Sequence, residues 1–286
     1  MNNNKYDARS EKLMPGPIGV FDSGYGGLTI LSEIKKRMPQ YDYLYLGDNS
    51  RAPYGSRSFD VIYEFTRQAV IALFEKGCNL VILACNTASA KALRTIQQVD
   101  LPKIAPQKRV LGIIRPTAEI IGGLTQSRHV GILGTLGTIQ SESYQLEIKK
   151  IFPDIHVVGE ACPMWVPLVE NGKADSDGAD FFVNESIQEL LAKDAAIDTI
   201  ILGCTHYPLL ENKIRKCLPP SVKVVAQGQY IAQSLQDYLF RHPEMEAVCT
   251  KSATIHYFTT ESPEIFKQNS SLFLNRQILV DKIKLD

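Results

Sequence analysis

The chain has 286 residues, which at roughly 100–200 residues per domain predicts one large domain or two ordinary ones. Hydrophobic residues make up 44% and charged residues 22%, a globular composition that excludes a disordered or fibrous chain. Basic and acidic residues both number 31, so the formal net charge is zero, and no long basic run occurs. We therefore expect no nucleic-acid partner.

The sequence also argues against export and against a membrane span. The first ten residues are polar and lack the apolar core of a signal peptide. No uninterrupted apolar stretch exceeds six residues, whereas a transmembrane helix needs about 20. These features predict a soluble, cytoplasmic protein without a membrane partner.

Short apolar runs alternate with longer helical patterns along the chain. Nine runs predict strands covered on both faces: Ile18–Phe21, Tyr43–Leu46, Leu80–Ala84, Val110–Ile113, Val130–Leu133, Ile155–Val158, Thr199–Leu202, Val222–Val225 and Thr254–Phe258. Helices are predicted at Gly27–Arg37, Ser58–Lys76, Ala88–Gln98, Ser141–Lys150, Gly178–Ala192 and Ile231–Phe240. The alternation predicts an α/β fold with largely parallel sheets flanked by helices.

A weak internal repeat predicts two similar lobes. In each half, an apolar strand runs into a loop of small residues, and a second strand ends on a cysteine: GVFDSGYGGL and LVILACNTAS first, VGILGTLGTI and TIILGCTHYP later. We expect a first lobe of residues 15–112 plus 226–286, because the tail is too short for a third domain. Residues 113–225 form the predicted second lobe, and residues 1–14 a disordered or loosely packed tail.

Four predicted loops follow strand ends and contain mainly small, polar or reactive residues: Asp22–Gly27, Cys85–Ser89, Gly134–Thr138 and Cys204–Tyr207. Ligands of open α/β sheets bind beyond the carboxyl ends of the strands. The loops should therefore line a cleft between the lobes, with Thr135 and Thr138 among the groups that contact the ligand.

The six cysteines include no C-x-x-C pair, so a zinc ribbon or thioredoxin motif is excluded, and a reducing cytosol would keep them as thiols. Cys78, Cys217 and Cys249 are predicted to be inert, and Cys162 is undecided. Cys85 and Cys204 each close a strand and precede a polar loop. A helix start there would lower a thiol's pKa.

Other interpretations of these loops are weaker. Cys85 and Cys204 could be buried, inert thiols, or could bind zinc together with His206. The loop at Asp22–Gly27 matches neither nucleotide-binding glycine motif. Asp22 could cap its loop, hold a substrate ammonium group or transfer protons.

Two facing thiols suit one reaction in particular, the inversion of an amino acid at its α-carbon. One base removes the proton and an acid on the opposite face returns one. At pH 7 and a pKa of about 8.5, ionising a thiol costs only about 2 kcal/mol. The resting pair must then be one thiolate and one thiol, which exchange roles at each turnover.

At these residues the sequence resembles the glutamate racemases, cofactor-independent members of the Asp/Glu racemase family. The matching motifs occur in the family's order: GVFDSGYGGL, DNSRAPYGSRS, ACNTAS, VGILGTLGTIQS, CPMWVPLVENG and GCTHYPLL. The resemblance implies interconversion of L- and D-glutamate without pyridoxal phosphate or metal, and D-glutamate for peptidoglycan synthesis. A homodimer is also expected from it.

The resemblance further implies roles for individual residues. Cys85 and Cys204 match the catalytic cysteines, Asp22 and His206 the assisting acid–base residues, and Glu170 a glutamate near the second cysteine. The implied substrate-binding residues are Asp22, Ser23, Tyr54, Gly55, Asn86, Thr87, Thr205 and His206.

The match weakens at Val225–Gly228 and in the insertion-like segment of residues 101–110. A racemase of another amino acid such as aspartate, or a non-catalytic amino-acid or nucleotide binding module, remains the alternative. A binding module would not need the cysteine pair.

Overall fold

The computed structural model describes residues 13–274 and 277–285. Its strands are β1 (Ile18–Asp22), β2 (Tyr43–Gly47), β3 (Leu80–Leu83), β4 (Arg109–Gly112), β5 (His129–Gly134), β6 (His156–Ala161), β7 (Thr199–Gly203), β8 (Lys223–Val225), β9 (Ile255–Thr259) and β10 (Val280–Lys282). Of the tail predicted at residues 1–14, residues 1–12 lie outside the described part of the chain.

The α-helices are α1 (Gly27–Arg37), α2 (Phe59–Glu75), α3 (Asn86–Lys91), α4 (Leu93–Thr95), α5 (Leu101–Ile104), α6 (Ile114–Ile121), α7 (Leu136–Gln140), α8 (Ser143–Ile151), α9 (Trp165–Glu170), α10 (Asp177–Lys193), α11 (Glu211–Lys216), α12 (Gly228–Arg241), α13 (Pro243–Glu246) and α14 (Pro263–Leu274). Short 3₁₀ turns occupy Asn49–Arg51 and Tyr207–Leu210, and a π-helical turn spans Ile96–Asp100.

The strands form two parallel sheets. The larger has six strands in the order β10-β9-β2-β1-β3-β4, and the smaller has four in the order β6-β5-β7-β8. Parallel strands need crossover helices, which cover both faces of each sheet. The predicted α/β class with parallel sheets and flanking helices is confirmed.

Side chains alternate between the two faces of each sheet and so build separate cores. On the six-stranded sheet, Val20 and Ile82 pack on the side of α1 and α12, whereas Phe21 and Leu83 pack on the side of α2 and α3. The four-stranded sheet is likewise covered by α9 and α10 on one face and by α6 and α8 on the other. This double coverage explains why the strands are nearly continuous apolar runs.

All nine predicted strands are present, and their ends differ from the predicted ones by no more than three residues. The helix predicted at Ala88–Gln98 instead begins at Asn86 and is divided into α3, α4 and the π-helical turn. The sequence did not predict β10 or α14. β10 is only three residues long and includes Asp281 and Lys282, so its apolar pattern is too short to detect.

Within the described residues, no helix combines the length and the apolar character needed to cross a bilayer.

Candidate active site

Loops from the two sheets meet at the carboxyl ends of their strands. The Thr29 hydroxyl, in the first turn of α1, donates to the backbone carbonyl of Thr205 at 3.1 Å. The backbone N–H of Gly137, in α7, donates to the carbonyl of Gly55 at 2.8 Å. The cleft expected from the sequence therefore lies between the sheets and is closed by direct contacts.

Cys85 is the residue that precedes α3, and its side chain is buried. Ser23 Oγ lies 3.4 Å from its Sγ, and the thiol also interacts with the backbone N–H of Ala88. Burial, together with nearby Asp22, raises the pKa of Cys85 to about 12 and outweighs both polar contacts. The backbone N–H of Ala88 at the helix start lowers this pKa as expected, but burial away from water outweighs it, so the net shift is upward.

Asp22 ends β1 and is only 1% exposed. Its Oδ2 accepts a hydrogen bond from the backbone N–H of Gly24 at 2.9 Å, whereas no donor from the described residues reaches Oδ1. Burial raises the pKa of Asp22, although His206 and the backbone N–H groups of Gly24 and Gly27 oppose the rise. Asp22 thus offers an unpaired oxygen and a carboxyl group able to exchange a proton.

Cys204 follows β7 and is the first member of a chain of three polar side chains. Its Sγ lies 3.7 Å from His206 Nδ1, and His206 Nε2 lies 2.9 Å from Glu170 Oε1, at the end of α9. Burial of His206 disfavours its protonated form, but the contacts with Cys204 and Glu170 outweigh burial and raise its pKa to about 10. The imidazole is therefore cationic at neutral pH and lies beside the Cys204 sulfur.

The two thiols belong to one site. The negative charge of a thiolate at Cys204 contributes to the raised pKa of Cys85, and Glu170 contributes to the raised pKa of Asp22. Both cysteine residues are 6% exposed, so the loops around them shield both thiols from bulk solvent.

Three threonine hydroxyl groups form a triangle beside Cys85. Thr87 Oγ1 lies 2.9 Å from Thr135 Oγ1 and 3.4 Å from Thr138 Oγ1, and the latter two are 3.1 Å apart. Thr87 comes from the six-stranded sheet side and the other two from the four-stranded side. Each hydroxyl group can rotate to donate to an anion, so the triangle is suited to a carboxylate.

Asn86 has a buried side chain that joins elements of both sheets. Its Nδ2 donates to Gln227 Oε1 at 2.9 Å, and its Oδ1 accepts from the Tyr144 hydroxyl at 2.6 Å. Gln227 Nε2 in turn donates to Thr117 Oγ1 at 2.8 Å. This polar network fixes the start of α3, and with it the position of Cys85.

Tyr54 faces the protein interior. Its hydroxyl group donates to Asp48 Oδ2 at 2.5 Å, and Arg51 Nε donates to the same oxygen at 2.7 Å. The side chain of Tyr54 thus has a partner within its own loop. The backbone carbonyl of the adjacent Gly55 accepts the hydrogen bond from the Gly137 N–H.

The comparisons with known proteins agree with this geometry. A profile of the family described as Asp/Glu/Hydantoin racemase matches residues 29–235. The chain belongs to the Asp/Glu/hydantoin racemase family. Glutamate racemase of Shouchella clausii is 40% identical over 263 residues, which are 92% of this chain and 91% of that protein.

Solved racemase structures match nearly the whole chain. The glutamate racemase isoform RacE1 from Bacillus anthracis has a TM-score of 0.85 and 34% identity, with coverage of 96% of this chain and 99% of that one. The Francisella tularensis glutamate racemase, solved in complex with D-glutamate, has a TM-score of 0.84 and 31% identity at the same coverage. The family resemblance read from the six motifs is confirmed.

Some residues of this racemase site escaped sequence reasoning. Asp48, which holds Tyr54, lies inside the motif DNSRAPYGSRS, but the resemblance implies no role for it. Gln227 lies in the segment that departs from the family pattern, and this departure was the available signal. Phe273, in α14, packs edge-on against the His206 ring with centroids 5.5 Å apart. The two residues are far apart in the sequence, and no local pattern links them.

Asn86→Ala is expected to lower kcat/KM by about ten- to a hundredfold, because the start of α3 loses its anchor and the thiol shifts. The variant should also lose roughly 1–3 kcal/mol of unfolding free energy, since buried partners stay unpaired. Steady-state kinetics and urea denaturation measure the two effects.

Asn171→Ala is the matched control, because the Asn171 side chain is exposed and bonds only the Pro167 carbonyl at 2.8 Å. It should leave both quantities unchanged. Unaltered kcat/KM in the Asn86 variant, with only stability reduced, would remove this side chain from the site.

Proposed function

We propose that this chain is a glutamate racemase that interconverts L- and D-glutamate by proton transfer at the α-carbon, with two cysteines and no cofactor. The observation that carries the proposal is the pair of thiols at equivalent strand ends of two sheets, each beside its own acid–base group. Cys85 has Asp22 and Ser23, and Cys204 has His206 and Glu170. The names of the relatives support glutamate as the substrate.

The two thiols are unequal at rest. Ionising Cys85 from a pKa of about 12 at pH 7 costs on the order of several kcal/mol. Cys204 instead lies beside a cationic imidazole. For the reaction of L-glutamate, we therefore propose Cys204 as the base and Cys85 as the acid.

In this direction, the Cys204 thiolate takes the α-proton of L-glutamate, and the Cys85 thiol gives its proton to the opposite face of the carbanion. The bond between carbon and hydrogen that breaks on one face is replaced by one on the other. The products are D-glutamate, a Cys204 thiol and a Cys85 thiolate, ready for the reverse reaction. Asp22 assists at Cys85, and His206, held by Glu170, assists at Cys204.

Substrate recognition follows the polar groups of the cleft. The unpaired Oδ1 of Asp22 binds the ammonium group. The carboxylates bind the hydroxyl groups of Thr87, Thr135 and Thr138, with further contacts from Ser23, Asn86, Thr205 and the Tyr54–Gly55 turn. Neutral donors suit this task, because hydroxyl and amide groups can donate hydrogen bonds to a carboxylate without forming an ion pair with it.

We further propose lobe boundaries at residues 112/113 and 225/226, with residues 226–286 returning to the first lobe. The six-stranded sheet draws its strands from residues 18–112 and 255–282, which supports this division. In the same region, α12 packs on α1, where Arg37 Nε donates to Gln236 Oε1 at 2.9 Å. The peptidoglycan role, a cytoplasmic location and a homodimer stay predictions from the family resemblance.

The test is the optical activity of L-glutamate incubated with the purified protein, without added cofactor and with EDTA. Circular dichroism should decay to zero as D-glutamate forms, and EDTA should not change the rate. L-Aspartate serves as the alternative substrate and should react far more slowly. A circular dichroism signal that persists for hours at micromolar protein would contradict racemase activity, and faster reaction of aspartate would reassign the substrate.

A further inference from the structure

Two histidines and an aspartate come together at the amino-terminal ends of strands in the four-stranded sheet, whereas the thiols lie at the carboxyl ends. His129 is the first residue of β5, His156 the first residue of β6, and Asp194 follows α10. One ligand atom from each lies within 4.8 Å of the other two. Among the residues that the structure describes, this is the one group of three or more histidine, cysteine or acidic side chains close enough to share a metal ion.

The fold holds these three side chains in place. His129 and His156 are register partners on adjacent parallel strands, so their side chains leave the same face of the sheet. Their Nδ1 atoms lie 2.7 and 2.8 Å from the same oxygen, Asp194 Oδ2. The other oxygen of Asp194 accepts from the backbone N–H of Ala196 at 2.9 Å, which orients the carboxylate.

The charge and exposure of the cluster also suit a cation. The acidic member of the cluster is Asp194, whose carboxylate lies within 2.8 Å of both imidazole rings. Its side chain is 9% exposed, whereas those of His129 and His156 are 36% and 59% exposed. A metal ion can therefore approach from solvent. The neighbouring Lys193 ammonium is paired with Glu160 Oε2 at 2.7 Å.

We infer that His129, His156 and Asp194 form a binding site for a divalent transition metal, with Zn²⁺ the best match. The two imidazole nitrogens are borderline donors, which favour Zn²⁺, Co²⁺ or Ni²⁺ over Mg²⁺ or Ca²⁺, and Zn²⁺ also accepts a carboxylate oxygen as a ligand. Water completes the coordination. The ligand atoms must separate from hydrogen-bond distance to roughly 3.3 Å, as bonds of about 2.0–2.1 Å in a tetrahedron require.

The role of this site is structural. A bound ion would join the end of α10 to β5 and β6, far from the proton-transfer chemistry. It would take the place of the protons between the two Nδ1 atoms and Asp194 Oδ2. The expected indifference of the racemase reaction to EDTA is therefore compatible with the metal site. Chain spacing gave no signal, because Asp194 is 38 residues from His156 and 65 from His129.

The test is a zinc titration of the full chain carrying Cys85→Ser and Cys204→Ser, which removes the active-site thiols as competing ligands. Calorimetry should detect one zinc ion per chain with micromolar or tighter affinity. Co²⁺ should give visible bands without the near-ultraviolet absorption of a cobalt–thiolate bond. His156→Asn in this background should weaken binding at least about tenfold.

His256→Asn is the matched control, because His256 is an exposed histidine outside the cluster, and it should bind zinc as before. In a wild-type thiol background, His156→Asn should leave racemisation unchanged, which separates this site from the proposed function. Zinc should raise the melting temperature of the Cys85→Ser, Cys204→Ser chain but not that of the same chain with His156→Asn. Absence of saturable zinc binding, or equal affinity in His156→Asn, would overturn the inference.

Discussion

Replacing either Cys85 or Cys204 with serine is expected to abolish racemisation, with a loss of at least about 10²–10⁴-fold in kcat. A serine hydroxyl group is a far weaker acid and base than a thiol at neutral pH, so one face of the α-carbon loses its proton carrier. Polarimetry with each purified variant measures the loss. Cys217→Ser is the control, because Cys217 is a half-buried thiol at the end of α11, and it should retain full activity.

Each variant should still remove the α-proton on the face of its remaining cysteine. Elimination from a β-substituted glutamate requires only removal of the α-proton. The family resemblance assigns Cys204 to L-glutamate and Cys85 to D-glutamate. Cys85→Ser should therefore eliminate from the L analogue, and Cys204→Ser from the D analogue.

Deuterium oxide tests the same assignment in the unmodified protein. Two bases place solvent deuterium in the product enantiomer, while recovered substrate stays largely protiated early in the reaction. A single base would return its exchanged proton to the face it left and label both enantiomers. Early deuterium in recovered substrate, or racemisation that survives Cys204→Ala, would refute the two-thiol mechanism.

Gly26→Ala is expected to lower kcat/KM by about 100-fold, although residue 26 carries no reactive group. A Cβ at this position would lie 2.2 Å from Thr205 Oγ1 and 2.5 Å from His206 Nδ1. These atoms must move, so His206 leaves its position between Cys204 and Glu170, or the loops of the two sheets separate. The backbone of Gly26 has φ −57° and ψ −37°, which alanine adopts freely, so the effect is steric and not conformational.

Kinetics from both enantiomers and a thermal melt check this prediction. The loss should be equal from L- and D-glutamate, because the equilibrium constant between enantiomers is unity. Gly178→Ala, in the first turn of α10, is the matched control. A Cβ at this position would lie 3.7 Å from its nearest neighbour, Ser176 Oγ, which is an ordinary contact distance. It should leave activity intact. Wild-type kcat/KM in Gly26→Ala would show that contact between α1 and the Cys204 loop does not position His206.

The raised pKa of Cys85 depends on tertiary packing, which the residues next to it in sequence do not predict. Its sequence context predicted a helix start, and α3 does begin at Asn86. The same context predicted a lowered pKa, which would hold for a thiol open to water. Burial reverses the direction, because Phe21, Tyr54 and other side chains distant in sequence belong to the same core cluster as Cys85 and exclude solvent from the thiol.

The sequence by itself determined the α/β class, the nine main strands and the positions of Asp22, Cys85 and Cys204 at strand ends. These features depend on local hydrophobic periodicity and on motifs, which lie within a few residues of one another. Only the tertiary structure decided which side chains meet: His206 with Glu170, Asn86 with Gln227, and the two histidines with Asp194. Such pairs join separate elements across long stretches of chain, and the packing of helices and strands alone sets their distances and removes the water that would otherwise screen their charges.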